Sequence, residues 1–183
     1  MAPHASQAVT DDPWRLKPYI RDIPDFPTKG ILFRDITPLL RDGAAFRHVI
    51  DVLAARYRGQ ALEAVVAIES RGLILGAALA SALGLGVVPV RKAGKLPHET
   101  YRASYTLEYG QDTLEIHQDS LARGGRVLLV DDLLATGGTM AATIQLIQQC
   151  EGRIVELAFL IELTALKGRG RVAPHAVFSL MQY

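Results

Sequence analysis

The sequence holds a single cysteine, Cys150, among 183 residues. One thiol closes no disulfide within the chain and builds no cysteine-based zinc site, and a reducing compartment suits it. Late in a helical stretch, Cys150 reads as a small packing residue. Surplus charge is missing too: 20 Lys and Arg against 19 Asp and Glu leave a formal charge of +1. A protein that coats a long polyanion carries a basic excess, so no nucleic-acid partner is expected. Repeats, linkers and low-complexity tracts are absent. With 49% hydrophobic and 21% charged residues, the composition is that of a globular domain. The length suits one domain, residues 1–183, better than two. Met1 to Asp12 is polar and lacks the apolar core of a signal peptide, and residues 1–10 read as a disordered lead-in. The expected location is the cytoplasm.

One uncharged run, Gly72 to Val90, is roughly 19 residues long, enough to raise the question of a membrane span. Gly72, Gly76, Gly84, Gly86 and Pro89 interrupt it and alanine dominates the rest, so no membrane association is expected. The run splits into an Ala-rich helix over 71–83, a glycine turn, and a short buried strand at 87–90. The small residues allow that helix to lie close on a sheet.

The remaining chain alternates in the same way. Asp11-Asp12-Pro13 signals a helix start, with a short helix through Trp14, Leu16 and Ile20 kinked at Pro18. Residues 24–35 are proline- and glycine-marked and irregular. Phe46, Val49, Ile50, Leu53 and Ala54 recur at helical spacing, giving an amphipathic helix over 43–58. Residues 64–68, 127–130 and 154–161 read as buried strands, 139–150 as a helix, and 176–180 as a last strand. Residues 91–126 are charged and hydroxyl-rich, with a hairpin turning across Tyr109-Gly110-Gln111-Asp112. Strict alternation there puts Tyr105, Leu107 and Tyr109 on one face, and Ser104, Thr106 and Glu108 on the other. Lys167, Arg169 and Arg171 read as a solvated turn. Strands alternating with helices define an α/β fold, a mostly parallel sheet with helices on both faces.

The chemistry gathers in Val127–Ala142, VLLVDDLLATGGTMAA. An apolar strand delivers Asp131 and Asp132 to its carboxyl end, and a small loop then opens a helix. Ligands of open parallel sheets bind at that edge. Backbone N–H groups of Ala135, Thr136, Gly137, Gly138 and Thr139 can converge on a phosphate, helped by the helix N-terminus. The lysine of a Walker-A loop is missing, and so is the G-x-G-x-x-G spacing of a dinucleotide fold. Paired carboxylates beside a phosphate cradle suit a sugar diol, and can approach Mg²⁺ directly or through water.

This stretch resembles the 5-phosphoribosyl-1-diphosphate (PRPP) motif of type I phosphoribosyltransferases. Four further segments extend the likeness: Phe26-Pro27-x-x-Gly30-Ile31-x-Phe33-Arg34-Asp35-Ile36-x-Pro38, Glu69-Ser70-Arg71-Gly72, Arg91-Lys92-x-Gly94-Lys95-Leu96-Pro97 and Tyr105-x-Leu107-Glu108-Tyr109-Gly110. Together, from about Trp14 to Tyr183, they resemble the adenine phosphoribosyltransferase family. The resemblance implies purine salvage, adenine and PRPP going to AMP and diphosphate, with Mg²⁺, in a homodimer. It implies a type I fold with a base-binding hood at about 24–38 and a lid hairpin at about 95–117.

It also assigns roles. Ala135 to Thr139 hold the 5′-phosphate, and Asp131 and Asp132 the ribose hydroxyls and, directly or through water and PRPP, the metal. Arg71, Arg91, Lys92 and Lys95 meet the diphosphate. Leu32, Phe33 and Arg34 cover adenine, largely through backbone groups, with Leu133 on the opposite face of the base. Glu108 handles a purine proton and, with Arg71, is the implied catalytic group; Tyr109 helps seal the lid. Two other readings stay open at this point: a phosphoribosyltransferase for another purine base, and a PRPP-sensing regulator without turnover. The second has no spare residues for a nucleic-acid-binding part.

Overall fold

The structure, a computed structural model, describes residues 11–106 and 111–183. The lead-in 1–10 lies outside that range, as do Leu107, Glu108, Tyr109 and Gly110. From the N-terminus, β1 (Arg21–Pro24) and β2 (Leu32–Asp35) pair antiparallel as a separate two-stranded sheet, Ile23 opposite Phe33. Two helices follow, α1 (Thr37–Arg41) and α2 (Gly43–Tyr57). Then come β3 (Ala64–Ile68), α3 (Arg71–Leu83), β4 (Gly86–Lys92), β5 (Thr100–Thr106), β6 (Gln111–His117), β7 (Arg126–Leu134), α4 (Gly138–Gln149), β8 (Arg153–Glu162), α5 (Gly168–Val172) and β9 (Val177–Gln182).

The main sheet runs in the order β5-β6-β4-β3-β7-β8-β9. The pairs from β4 to β9 are parallel, and the β5–β6 hairpin adds antiparallel strands on one flank. Side chains alternate between two cores, as a strand's period of two requires. Val65, Leu128, Val130 and Leu160 pack on the face carrying α2 and α3; Val66, Ile68, Val127, Leu129 and Phe159 pack on the face carrying α4. Both faces of the parallel strands are therefore covered, as the alternating pattern requires.

Several elements end where the sequence signals place them. The apolar run 64–68 is a strand over its whole length, and the helix 71–83 stops where Gly84 takes a left-handed conformation, φ +70°. Helix α3 lies close on β3: a Cβ at Gly76 would come within 2.4 Å of the Ala67 Cβ. Among the described residues, no helix is long and apolar enough to cross a membrane.

Other elements differ. Residues 11–16 do not form the expected helix; only a 3₁₀ turn, Lys17–Tyr19, is present. The Asp12 carboxylate accepts from the Leu16 and Lys17 N–H groups and holds the chain in another course. The irregular segment 24–35 contains β2 and the end of β1. Strand β7 continues past Val130 to Leu134, so Asp131 and Asp132 lie within it rather than after it. In the hairpin, Gln111 and Asp112 pair with Thr106 and Tyr105, so these two belong to β6 and not to the expected turn, whose Tyr109 and Gly110 lie outside the described residues. Tyr101, Ala103 and Tyr105 face inward and Arg102 and Ser104 outward, in keeping with alternation.

Candidate active site

Strand β3 sends its crossover α3 to β4 on one side, while β7 sends α4 to β8 on the other. The two crossovers leave in opposite directions, so a crevice opens beyond the carboxyl ends of β3 and β7, the place where such sheets bind ligands. Glu69, Ser70 and Arg71 follow β3, and Asp131 to Thr139 line the β7 side. A cavity of about 330 Å³ is lined by Glu69, Ser70, Arg71, Tyr105, Asp131, Asp132, Leu133, Ala135 and Thr139. A smaller one, about 60 Å³, lies inside the loop from Leu133 to Met140. A third, about 400 Å³, lies between α2 and the C-terminal half of α3, around Phe46, Ile50, Ala78 and Ala82. At a rise of about 1.5 Å per residue, that half of α3 is on the order of 10 Å from Arg71.

The loop before α4 is shaped by backbone. Gly137 adopts φ +80° as the helix N-cap, and among the described residues no side chain caps the first turn. The Ala141 N–H donates to the Gly137 carbonyl, the first bond of the helix. The earlier N–H groups of Gly138, Thr139 and Met140 have no intrahelical acceptor, and they sit at the positive end of the helix dipole.

Asp131 and Asp132 are both buried, and a Cβ at Gly72 would lie 2.7 Å from Asp131 Oδ1, so glycine is what lets α3 start against this carboxylate. Burial pushes the Asp131 carboxyl well above the usual range, and the neighbouring Asp132 charge pushes it further. Arg71 donates from Nε to Asp132 Oδ2, and its guanidinium stands 5.1 Å from the Phe33 ring. Phe33 in turn meets Phe26 edge to face at 5.1 Å. Arg71 thus links the carboxylate pair to the two-stranded sheet.

The other candidate cations are paired rather than merely solvated. Arg91 Nε and Lys95 Nζ donate to Glu69, at 3.1 and 2.8 Å, and the Lys92 N–H does so at 3.0 Å. Burial pushes the Glu69 carboxyl up, but bonds from Lys95, the Lys92 backbone and Arg91 outweigh it and hold it down at about 2. The Lys92 ammonium pairs with Asp112 at 2.9 Å. In β2, Leu32 is exposed, and the Arg34 side chain is engaged elsewhere than the cavity: it pairs with Asp22 and lies 3.9 Å over the Tyr183 ring. Glu108 and Tyr109 lie outside the described residues.

Sequence reasoning passed over Glu69 as a ligand of the cations, Asp112, and the cavity-lining Tyr105 and Ser70. Glu69 carried a usable signal, an acidic residue directly after a wholly apolar strand. The sequence reading also missed Arg169. Residues 168–172 are a short helix, and Arg169 forks onto Glu162 with two bonds of 2.6 Å.

A parallel sheet whose switch point joins a glycine-started helix, two adjacent carboxylates and a facing arginine fits the phosphoribosyltransferase class. The family model of the phosphoribosyl transferase domain matches residues 36–181. An adenine phosphoribosyltransferase of Roseiflexus sp. (strain RS-1) is 59% identical over 164 residues, covering 90% of this chain and 95% of that protein. The chain belongs to the adenine phosphoribosyltransferase family. Among solved structures, the crystal structure of adenine phosphoribosyltransferase from Thermoanaerobacter pseudethanolicus is similar at a TM-score of 0.89 and 49% identity, covering 92% and 98% of the two chains. The Saccharomyces cerevisiae enzyme, complexed with an imino-altritol bisphosphate and adenine, is similar at 0.86 and 42%, covering 91% and 96%.

Proposed function

We propose that the chain transfers the 5-phosphoribosyl group of PRPP to N9 of adenine, giving AMP and diphosphate, as a pentosyltransferase of purine salvage. The observation that carries this reading is the convergence of Arg71, Asp131, Asp132 and Thr139 on one cavity. The N–H groups at the start of α4 and the hydroxyls of Thr136 and Thr139 hold the 5′-phosphate. Asp131 and Asp132 accept from the ribose hydroxyls and offset the positive charge that builds on the sugar as its bond to diphosphate breaks. Arg71, Arg91, Lys92 and Lys95 meet the charge that builds on the departing diphosphate.

Mg²⁺ suits this donor set. Among the described residues, no cluster of three or more His, Cys, Asp and Glu forms a cage. Two adjacent carboxylates, of which Asp132 is paired with Arg71, are hard oxygen donors of the kind that hold Mg²⁺ alongside substrate phosphates. When bound, the metal supplies charge neutralisation at the diphosphate. Among the described residues strand β2 pairs on one edge, with β1, so its other edge has backbone groups to offer the rim of adenine. Leu133 packs against the base from the cavity wall, and Glu108 exchanges the purine proton. The chain works as a cytoplasmic homodimer; Ile74 on α3 and Val87 on β4, both exposed, are apolar surface that suits such a contact.

The test offers PRPP, Mg²⁺ and a panel of bases, and follows PRPP consumption. Adenine should turn over and hypoxanthine should not. A 6-oxo acceptor placed where a backbone group accepts from the 6-amino group leaves a buried pair unmade, a discrimination on the order of 10⁴ in favourable sites. Equal turnover of hypoxanthine overturns the reading.

A further inference from the structure

We propose that Arg169 is a positioning residue for the phosphate loop: fastened to Glu162, it holds the Gly168 backbone as a wall behind Gly137 and fixes the direction of the loop's N–H groups. The inference rests on the reading of residues 135–139 as the phosphate cradle.

Arg169 is tied to the sheet at several points. Its Nε and Nη2 donate to the two oxygens of Glu162, each at 2.6 Å, and its Nη1 donates to the Val177 carbonyl at 3.0 Å. The Glu162 side chain is 6% exposed, and its Oε2 also accepts from the Ser179 hydroxyl at 2.7 Å. Strands β8 and β9 therefore anchor the guanidinium, and a planar fork on a buried carboxylate has one geometry.

Residue 168, next in the chain, is where that anchor meets the loop. A Cβ on Gly168 would lie 2.3 Å from the Ala135 carbonyl oxygen, and a Cβ on Gly137 would lie 2.8 Å from the Gly168 carbonyl oxygen. Two backbones touch with no side chain between them. On its own side the loop has little to hold it: Gly137 is left-handed, and among the described residues no side chain caps α4. Donors aimed at a charge are most effective when their direction is fixed beforehand, because no reorganisation is then needed on binding. A clamp distant from the loop in sequence, and not part of the cavity lining, supplies that rigidity without touching the ligand.

Arg169→Gln, Arg169→Lys and Gly168→Ala test this, with Thr139→Ala as a reference inside the loop. Steady-state kinetics give kcat and both KM values, and calorimetry gives AMP and inorganic phosphate affinity. Arg169→Gln should raise the KM for PRPP on the order of 10- to 100-fold and weaken AMP and phosphate in step, the scale of a loop displaced by a fraction of an ångström to one ångström. The KM for adenine and kcat should stay within about twofold, the signature of lost uniform binding. Arg169→Lys should recover part of the loss. Gly168→Ala should reproduce it with the ion pair intact, and decides the matter if Arg169→Gln does not fold. If Thr139→Ala raises the KM for PRPP while Arg169→Gln and Gly168→Ala do not, the inference is overturned. An equal loss in kcat and in both substrates also overturns it, as a general structural role. If Thr139→Ala too leaves PRPP unaffected, the phosphate-cradle reading fails and the inference goes with it.

Discussion

Arg71 Nε donates to Asp132 Oδ2 at 2.5 Å, joining the first residue of α3 to β7 across the crevice. One guanidinium therefore neighbours both the carboxylates that suit the ribose and the ring of Phe33. Arg71→Ala should lower kcat/KM for PRPP by about 10²–10³, as removal of a donor aimed at developing charge does. Adenine affinity should change far less. Kinetics with both substrates varied check the split; normal PRPP turnover would remove Arg71 from the site.

The carboxylate pair is tested together. Asp131→Asn with Asp132→Asn should leave the fold standing and weaken AMP and PRPP, each lost charge-assisted hydrogen bond costing roughly 1.5–3 kcal/mol. The readout is the rise in Tm on adding AMP. A rise equal to that of the unsubstituted protein contradicts the assignment.

Glu69 gives a pH dependence. Its carboxyl sits at about 2 in the folded chain against an ordinary 4.5. A depressed carboxylate stabilises the fold at pH above its ordinary value, and that contribution fades as pH falls from 4.5 through 2. Glu69→Gln should therefore be less stable than the parent near neutrality, by an amount that shrinks across this acid window. Urea midpoints measured down the pH scale check it; a gap that stays constant or widens toward acid counts against the ion-pair cluster.

Gly76 tests the packing of α3 on the sheet. Its Cα faces Ala67 with no room for a methyl group. Gly76→Ala should cost about 1–3 kcal/mol through overpacking, despite the higher helix propensity of alanine. At about 2–4 °C per kcal/mol for a chain of this size, thermal unfolding resolves it.

The family position of Glu108 yields the last test. Glu108→Gln keeps shape but cannot exchange a proton, so the chemical step should slow by about 10²–10⁴ with PRPP affinity nearly intact. Single-turnover formation of AMP is the measurement, because product release can mask chemistry in kcat. A parental rate would leave Glu108 without a catalytic part.

What the sequence disclosed follows the range of the forces involved. Residues 64–68 and 71–83 were legible to the residue, because an uninterrupted apolar run and a glycine stop are local signals. Strand β7 was cut short at Val130 because apolar patterning ends at the aspartates, while the partner that stabilises Asp132 is Arg71, far back in the chain. The same reason hid Arg169: in Lys167-Gly168-Arg169-Gly170-Arg171 it looks solvated, and only the fold brings Glu162 and Val177 to it. The strands β1 and β2 escape the pattern because Asp35 alone of their residues is buried and no alternation marks them. The candidate site residues come from motif likeness; which carboxylate holds which cation comes from geometry alone.

The ion pairs around the crevice have an electrical consequence. Arg71, Arg91, Lys92 and Lys95 stand among Glu69, Asp112, Asp131 and Asp132, so the cluster is formally neutral with every group ionised, and the raised carboxyl of Asp131 shifts that balance by no more than a single positive charge. From a Debye length away, about 8–10 Å at ordinary ionic strength, such an arrangement projects little field. A polyanion approaching it is not funnelled by long-range attraction; it is recognised only on arrival, when cations change partners from carboxylate to phosphate. Capture at this crevice is governed by that exchange at contact, and the rate of encounter by diffusion that added salt barely alters.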